Sequence, residues 1–494
     1  MSGPSVHLTI PPASLFKFPP APLPETLPPP QRDYSFATPF NINPTVYNGL
    51  LSASVPLTFA TIYATSVVLL NQINRRRGNQ PWEFSKTRLF HLFVVAHNVL
   101  LAVYSAWTLT GMLGALSRSW PGFDAEGGPA EVADALCKLN GPRGFGSAAT
   151  YNSTTSAWGV TDRLVKLGTG GIPDSSDVGR LWNEGLSFYG WLFYLSKFYE
   201  VVDTAIILAK GKRSSSLQTY HHAGAMMCMW AGIRYMAPPI WLFVVANSFI
   251  HTLMYTYFTL TALHVKVPWV IKRTLTTMQI AQFVIGASFA ATHLFVSYNA
   301  PVSVPYSFIA GVSSAASSAT SAVGSAATSV ASATATANLN SWFKKLALRA
   351  VGEEGLAENV RNSQGERFGA DAVKAPVNHA KEEIRYRTEY PVVSCIDTSG
   401  QSFAIWLNLM YLAPLTWLFV RFFIRSYTGM TSRRGRRPST IHIIEKSGLD
   451  AARGVQRELD SLLKEAETSV AEKVIERGEE AASSAEAAVE AKRE

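Results

Sequence analysis

The feature that most constrains this chain is a series of long apolar runs that carry almost no charge. No Asp, Glu, Lys, Arg or His occurs between residues 34 and 74, and a bilayer-crossing helix needs only about 20 mostly apolar residues. The densest part of that run, residues 55–70, gives a first span, and residues 89–116 give a second. Further runs follow at 186–208, 217–232, 239–263, 275–298 and 401–420. Charged residues make up 16% of the chain, against about 25% in soluble domains. Three cysteines are too few for a disulfide-rich scaffold or a four-thiolate zinc site. The expectation is an all-α polytopic membrane protein with about seven transmembrane helices.

Basic residues recur on alternate sides of these runs. Arg75, Arg76, Arg77, Lys86 and Arg88 lie between runs one and two. Lys210, Lys212 and Arg213 follow run three, Lys266, Lys272 and Arg273 follow run five, and Arg421 and Arg425 follow run seven. Cytoplasmic loops concentrate Lys and Arg, so these loops and the C-terminus are expected in the cytosol, and the N-terminus and loops 117–185 and 299–400 opposite. Asn152-Ser153-Thr154, a glycosylation acceptor, falls on that opposite side. The net charge of +9 then reads as membrane orientation, with the lipid bilayer as partner and no nucleic acid. Cys137 and Cys395 share the oxidising side while Cys228 lies within run four, so a Cys137–Cys395 disulfide is expected. Residues 1–45 form a Pro-rich flank without the pattern of a signal peptide. Residues 46–425 form the membrane domain, interrupted by a Ser/Ala-rich insertion (311–340) in the 299–400 loop. Residues 426–494 form a tail, basic at first and then Ala/Glu-rich, with helical spacing over 443–494.

Against this background the polar residues inside the runs stand out, because ionisable groups in a span are expensive and mark function. In run three, Lys197, Glu200 and Thr204 share one helix face and Asp203 lies beside it. Run four opens with Gln218, one turn before His221 and His222. Run five holds Asn247 and His251, then Met254, Tyr255 and Tyr257, and run six has Thr276, Gln279 and Gln282 on one stripe. Hydrocarbon satisfies no donor or acceptor, so these stripes are expected to meet in one polar chamber. Histidine suits nucleophilic and acid–base work near neutral pH. The Q-x-x-H-H pattern also occurs in membrane di-iron desaturases, but His7, His91, His97, His264, His293, His379 and His442 are scattered and make no further box. His221, His222 and His251 could bind zinc in principle, yet no carboxylate–histidine spacing accompanies them, and no metal is expected. Buried ionisable groups also serve channels and transporters, which leaves a non-catalytic bundle or scaffold as the alternative.

In order and spacing, Lys197/Glu200/Asp203, the box at Gln218/His221/His222, Asn247/His251/Met254/Tyr255/Tyr257 and Thr276/Gln279/Gln282 resemble the motifs of the fatty-acid elongase family. These are condensing enzymes of the endoplasmic reticulum, and the likeness covers residues 46–298 and 401–425. Gln218 departs from the family's box by replacing its first histidine. The resemblance implies condensation of acyl-CoA with malonyl-CoA to a 3-oxoacyl-CoA, an apolar tunnel for the acyl tail, and no cofactor beyond these substrates. It also implies His221, His222, His251, Gln218, Asp203, Glu200, Lys197 and Asn247 as catalytic residues. Tyr255, Tyr257, Gln279 and Gln282 would contact substrate, and Lys210, Lys212, Arg213, Lys272 and Arg273 would meet CoA phosphates. Reductases and a dehydratase of the elongation cycle would be partners. The chain ends Glu490-Ala491-Lys492-Arg493-Glu494, with one lysine suited to a retention signal.

Overall fold

The computed structural model describes residues 3–309 except 123, 161, 163 and 164, a few positions between 344 and 360, and residues 382–428. Its helices are α1 (Pro44–Leu50), α2 (Ser54–Arg76), α3 (Arg88–Ser119), α4 (Gly128–Cys137), α5 (Trp191–Tyr199), α6 (Val201–Ala209), α7 (Ser216–Arg234), α8 (Ile240–Ala262), α9 (Trp269–Thr292) and α10 (Ser399–Phe423). A π-helical stretch, Trp182–Gly190, leads into α5. The helix starts follow from local chemistry. Asn43 caps α1 with Pro44 at its first position, Thr87 Oγ1 accepts from Phe90 N to cap α3, and Ser215 Oγ accepts from Gln218 N to cap α7.

Every apolar run is helical over most of its length, and among the described residues four helices (α2, α3, α8 and α10) are long and apolar enough to cross a membrane. The others fall short for visible reasons. Run three is broken between α5 and α6 at Glu200, α7 carries Gln218, His221 and His222, and α9 carries Lys272 and Arg273. Only 17% of the most apolar window of α2 is buried. Leu57, Ile62, Val68 and Leu69 on α2 and Leu92, Leu100 and Val103 on α3 face outward, as they should where hydrocarbon is the solvent. The interior is aromatic: Tyr47 stacks on Trp191 with ring centroids 5.4 Å apart, and Trp230 Nε1 donates to the Leu51 carbonyl at 2.7 Å.

Two basic loops meet at one end of the bundle. Asn74 Nδ2 donates to the Leu208 carbonyl (2.8 Å) and Asn74 Oδ1 accepts from Trp82 Nε1 (2.9 Å), which ties the loop after α2 to the end of α6. Gly211 turns there at φ +67°, where a Cβ would strike the backbone of Asn79 and Gln80. The opposite end is capped by folded loops. Strands β1 (Val6–Leu8), β4 (Val296–Asn299) and β7 (Val392–Ser394) form an antiparallel sheet in the order β1-β4-β7, with Val6 opposite Tyr298 and Ser297 opposite Ser394. β2 (Ala149–Asn152) pairs with β3 (Ala157–Val160), and β5 (Val302–Ile309) with β6 (Glu382–Glu389). Cys137 and Cys395 are joined as the sequence suggests, with Cα atoms 4.8 Å apart, and Cys228 is a buried free thiol. Beside the bond, Arg180 and Asp134 form a buried ion pair at 2.7 Å, and Asp134 Oδ1 accepts from Tyr298 OH at 2.9 Å. Burial, then the Asp134 charge, pushes the Tyr298 hydroxyl well above its usual pKa. Asn152 is exposed at the end of β2, its Oδ1 accepting from Thr154 N.

One expectation needs correcting. Run six does not remain helical to residue 298: α9 stops at Thr292, and residues 296–299 form the central strand β4. The alternation in Val296-Ser297-Tyr298-Asn299 suits a strand that pairs on both sides, and the pairing overrides its apolar character. The Pro-rich flank is part of the fold. Thr26 is fully buried, Arg234 donates to the Pro24 carbonyl, and Trp182 Nε1 donates to the Leu27 carbonyl. The low-complexity insertion at 311–340 and the helical tail at 443–494 lie outside the described residues.

Cys395→Ser is expected to cost about 2–5 kcal/mol, because it frees a loop of this length in the unfolded chain. Asp134→Ala should cost about 3–5 kcal/mol by leaving Arg180 buried and unpaired. Thermal unfolding in detergent checks both. Alkylation of Cys137 and Cys395 without prior reduction would sink the first.

Candidate active site

Three helical segments bring the polar stripes together near the middle of the bundle. The break at Glu200 matters first, because it ends α5 and starts α6 and lets one carboxylate face inward. Lys197 Nζ donates to Glu200 Oε1 at 2.6 Å and to Asn247 Oδ1 on α8 at 2.9 Å, and it lies over the Phe193 ring at 4.0 Å. Both charged side chains are nearly inaccessible, at 4% and 3% exposure. Glu200 Oε1 also lies 3.6 Å from His251 Nδ1. Lys197, Glu200 and His251, all buried, and half-buried Asn247 therefore lie together.

The histidine pair comes from the second turn of α7. The sequence Ser215-Ser216-Leu217-Gln218 has the form of a capping box, in which the glutamine would reach back to the cap. Here the Gln218 amide turns forward instead, with Nε2 at 2.8 Å from His222 Nε2. His222 Nδ1 is buried and has no hydrogen-bond partner among the described residues. His221 points the other way, its Nδ1 3.0 Å from the Tyr411 hydroxyl on α10, and the two imidazoles are 5.3 Å apart.

Asp203 goes elsewhere. The resemblance groups it with Lys197, Glu200 and the box histidines, but the structure does not seat it against them. Instead Oδ1 accepts from His97 Nε2 on α3 at 2.9 Å and Oδ2 from Tyr255 OH at 2.6 Å, while His97 Nδ1 meets Tyr199 OH at 3.2 Å. The helix is broken at Glu200, between α5 and α6, and the two carboxylates, three positions apart, serve different neighbours. Tyr255 links the clusters, since its ring also lies against His251 with centroids 5.5 Å apart. Gln279 Nε2 donates to Met254 Sδ at 3.3 Å, and Gln282 is half-buried. Tyr257 is half-buried against Phe258. Lys210, Lys212, Arg213, Lys272 and Arg273 are exposed. Among the described residues, the group of three that could hold a metal ion is Cys137, His293 and Cys395, whose sulfurs are spent in the disulfide.

Sequence reasoning missed His97, Tyr63 and Tyr411. Tyr63 OH lies 2.9 Å from Thr204 Oγ1 and its ring stands edge-on to His222. For His97 a signal was present: it sits with Val94, Leu101, Ser105 and Thr108 on the buried stripe of α3. A histidine there needs a partner as much as one in a motif does. Tyr63 and Tyr411 gave no such signal, because tyrosine is ordinary in an aromatic-rich span.

The chain matches the model of the ELO, GNS1/SUR4, family over residues 50–435. It is 33% identical over 131 residues to very long chain fatty acid elongase 3 of Homo sapiens, covering 26% of this chain and 48% of that protein. Fatty acid elongase A of Dictyostelium discoideum is 35% identical over 103 residues (21% of this chain, 37% of the relative). Fatty acid elongase 2 of Trypanosoma brucei brucei is 31% identical over 124 residues (25% and 46%). The chain thus spans less than half the length of the curated relatives it matches. A polytopic bundle with this array, matched over most of its length, belongs to the GNS1/SUR4 family of membrane proteins.

Proposed function

We propose that this protein condenses a long-chain acyl-CoA with malonyl-CoA to give a 3-oxoacyl-CoA two carbons longer, CO2 and CoA. The observation that carries this reading is the array of half-buried His221 with buried His222 and His251 beside the Lys197–Glu200 pair, in a chain whose relatives are named fatty acid elongases. In this reading all seven apolar helical runs span the endoplasmic-reticulum membrane, with the N-terminus lumenal and the C-terminus cytosolic. They enclose a polar chamber and an apolar acyl tunnel. The basic loops form the mouth, where Lys210, Lys212, Arg213, Lys272 and Arg273 pair with CoA phosphates. Asn152 is glycosylated on the other side. Reductases and a dehydratase process the product.

The chemistry divides into two transfers. His221 Nε2 gives its electron pair to the thioester carbonyl carbon, the C–S bond breaks, and CoA leaves as the thiolate. The adduct is an acyl-imidazolium, its positive charge balancing the thiolate. Malonyl-CoA then loses CO2, and the electron pair of the broken C–C bond becomes an enolate. The enolate carbon attacks the acyl carbon, and the C–N pair returns to Nε2. The thiolate takes a proton from water. His222 and His251 donate to the oxyanions, with Asn247, Gln279 and Gln282 as further donors. Tyr255 and Tyr257 line the substrate path. Lys197 and Glu200 hold Asn247 and His251 in place, Asp203 holds Tyr255, and Gln218 holds His222.

Microsomes carrying the chain should incorporate labelled malonyl-CoA into longer acyl chains. No incorporation across a panel of chain lengths would instead favour a transporter or scaffold. His221→Ala should abolish incorporation with folding intact, and retention of more than a small fraction would move the nucleophile to His222 or His251.

Gln218→His should be tolerated, since an imidazole can also meet His222 Nε2. Gln218→Leu leaves that imidazole without its partner, a loss of about 1–3 kcal/mol, and should lower the rate by about 5- to 150-fold. Equal rates for the leucine variant would show that the amide does no orienting.

A further inference from the structure

We infer that Tyr411 is a positioning residue that holds His221 in the Nδ1–H tautomer, leaving the Nε2 electron pair free towards the acyl group. The inference rests on the condensation reading and adds a residue from α10 to it.

The argument is one of hydrogen-bond counting. The Tyr411 oxygen lies 3.0 Å from the backbone carbonyl of His221 and 3.0 Å from His221 Nδ1. A carbonyl can only accept, and a tyrosine hydroxyl has a single proton to give. Both contacts are hydrogen bonds only if the hydroxyl donates to the carbonyl and Nδ1 carries a proton that it donates to the hydroxyl oxygen. The alternative tautomer would use the hydroxyl proton on Nδ1, forfeit the carbonyl contact, and place a proton on Nε2. The imidazole is flanked by the rings of His222, Phe419 and Phe283, with centroids at 5.3, 6.2 and 6.4 Å. The alternative forfeits one hydrogen bond, about 0.5–1.5 kcal/mol, so the Nδ1–H form is favoured.

The placement of Tyr411 is itself determined by its neighbours. Its ring lies against Gly224, one turn beyond His221 on α7, where a Cβ would come within 2.3 Å of ring carbons. Only glycine lets α10 approach α7 closely enough for the hydroxyl to reach Nδ1. Tyr220 OH donates to the Tyr411 carbonyl at 3.2 Å, and the two rings lie 5.6 Å apart. Pro414, inside α10, has no N–H for the carbonyl one turn back, which loosens the backbone at the turn that carries Tyr411. The ring is 8% exposed, so water does not compete for the hydroxyl.

The test is made on the full chain in detergent, with wild type and His221→Ala as references. Tyr411→Phe keeps the ring and removes the hydroxyl. Its single-turnover rate of acyl transfer from a long-chain acyl-CoA should fall about 10- to 100-fold, with KM for acyl-CoA changed less than twofold. Gly224→Ala, which displaces the ring but keeps the hydroxyl, should give a loss of the same kind. Nitrogen-15 NMR of labelled histidine in the wild-type protein, assigned by difference with His221→Ala, should show His221 with Nδ1 protonated, and Tyr411→Phe should shift it towards a tautomer mixture. An active wild type whose His221 is protonated at Nε2, or a folded Tyr411→Phe variant with wild-type acyl transfer, overturns the inference and leaves the condensation reading standing. Inactive wild type overturns that reading instead, while the tautomer spectrum still decides what Tyr411 does.

Discussion

A lysine and a glutamate with almost no exposed surface sit 2.6 Å apart inside a bundle whose outer face is leucine, valine and isoleucine. Burying two charges costs several kcal/mol per ion, and their attraction offsets this only when the remaining donors and acceptors are also satisfied. Lys197 therefore takes Asn247 as a second acceptor, and Glu200 takes Ser196 and the neighbourhood of His251. That requirement fixes where α8 lies against α5. The same rule, applied outward, brings α3 to α6 through His97 and Asp203, α2 to α6 through Tyr63 and Thr204, and α10 to α7 through Tyr411 and His221. Dispersion between apolar helices has little directional preference in a membrane, so these polar contacts set the register of the bundle.

What could be read from the sequence divides along the distance over which a partner must be found. Lys197 with Glu200, Gln218 with His222 and the capping serine of α7 are separated by one turn, and spacing alone announces them. The Cys137–Cys395 bond spans 258 residues, yet it was legible because alternation of basic loops sorts residues by side and only two thiols share one. Asp203 was misassigned because its partner His97 is 106 residues away on a helix with no motif. Tyr411 was invisible for the same reason, 190 residues from His221. The cap was illegible in a different way: a Pro-rich flank has no period, so nothing local says that Leu23, Pro24 and Leu27 give their carbonyls to Arg234 and Trp182.

The cap and the histidines stand at different depths of the same helices, which divides the labour between stability and chemistry. α7 begins near the basic loops, where Gln218, His221 and His222 lie, and ends at Arg234, which is tied to the N-terminal flank. α10 begins beside Cys395, where Gln401 Oε1 accepts from Asp397 N, and carries Tyr411 three turns later. Anchoring one end of each helix through the disulfide, the Asp134–Arg180 pair and the flank fixes its rotation about its axis. The polar residues further along then meet without loops of their own to hold them, as the pairing of Tyr411 with His221 illustrates.

Gln218 completes this picture as a choice of what not to place beside two imidazoles. A histidine there would add a third titratable ring within one turn, and like charges so close oppose one another's protonation. An amide offers a hydrogen bond of similar reach to His222 Nε2 and never titrates. The price is the loss of any proton shuttle through this position, because an amide does not exchange its protons at neutral pH as an imidazole does. Because the capping role of Ser215 is met by its own hydroxyl, the Gln218 side chain is released from the helix terminus and is available to orient the ring. The departure from the commoner box thus removes one titrating group while keeping the geometry that His222 needs.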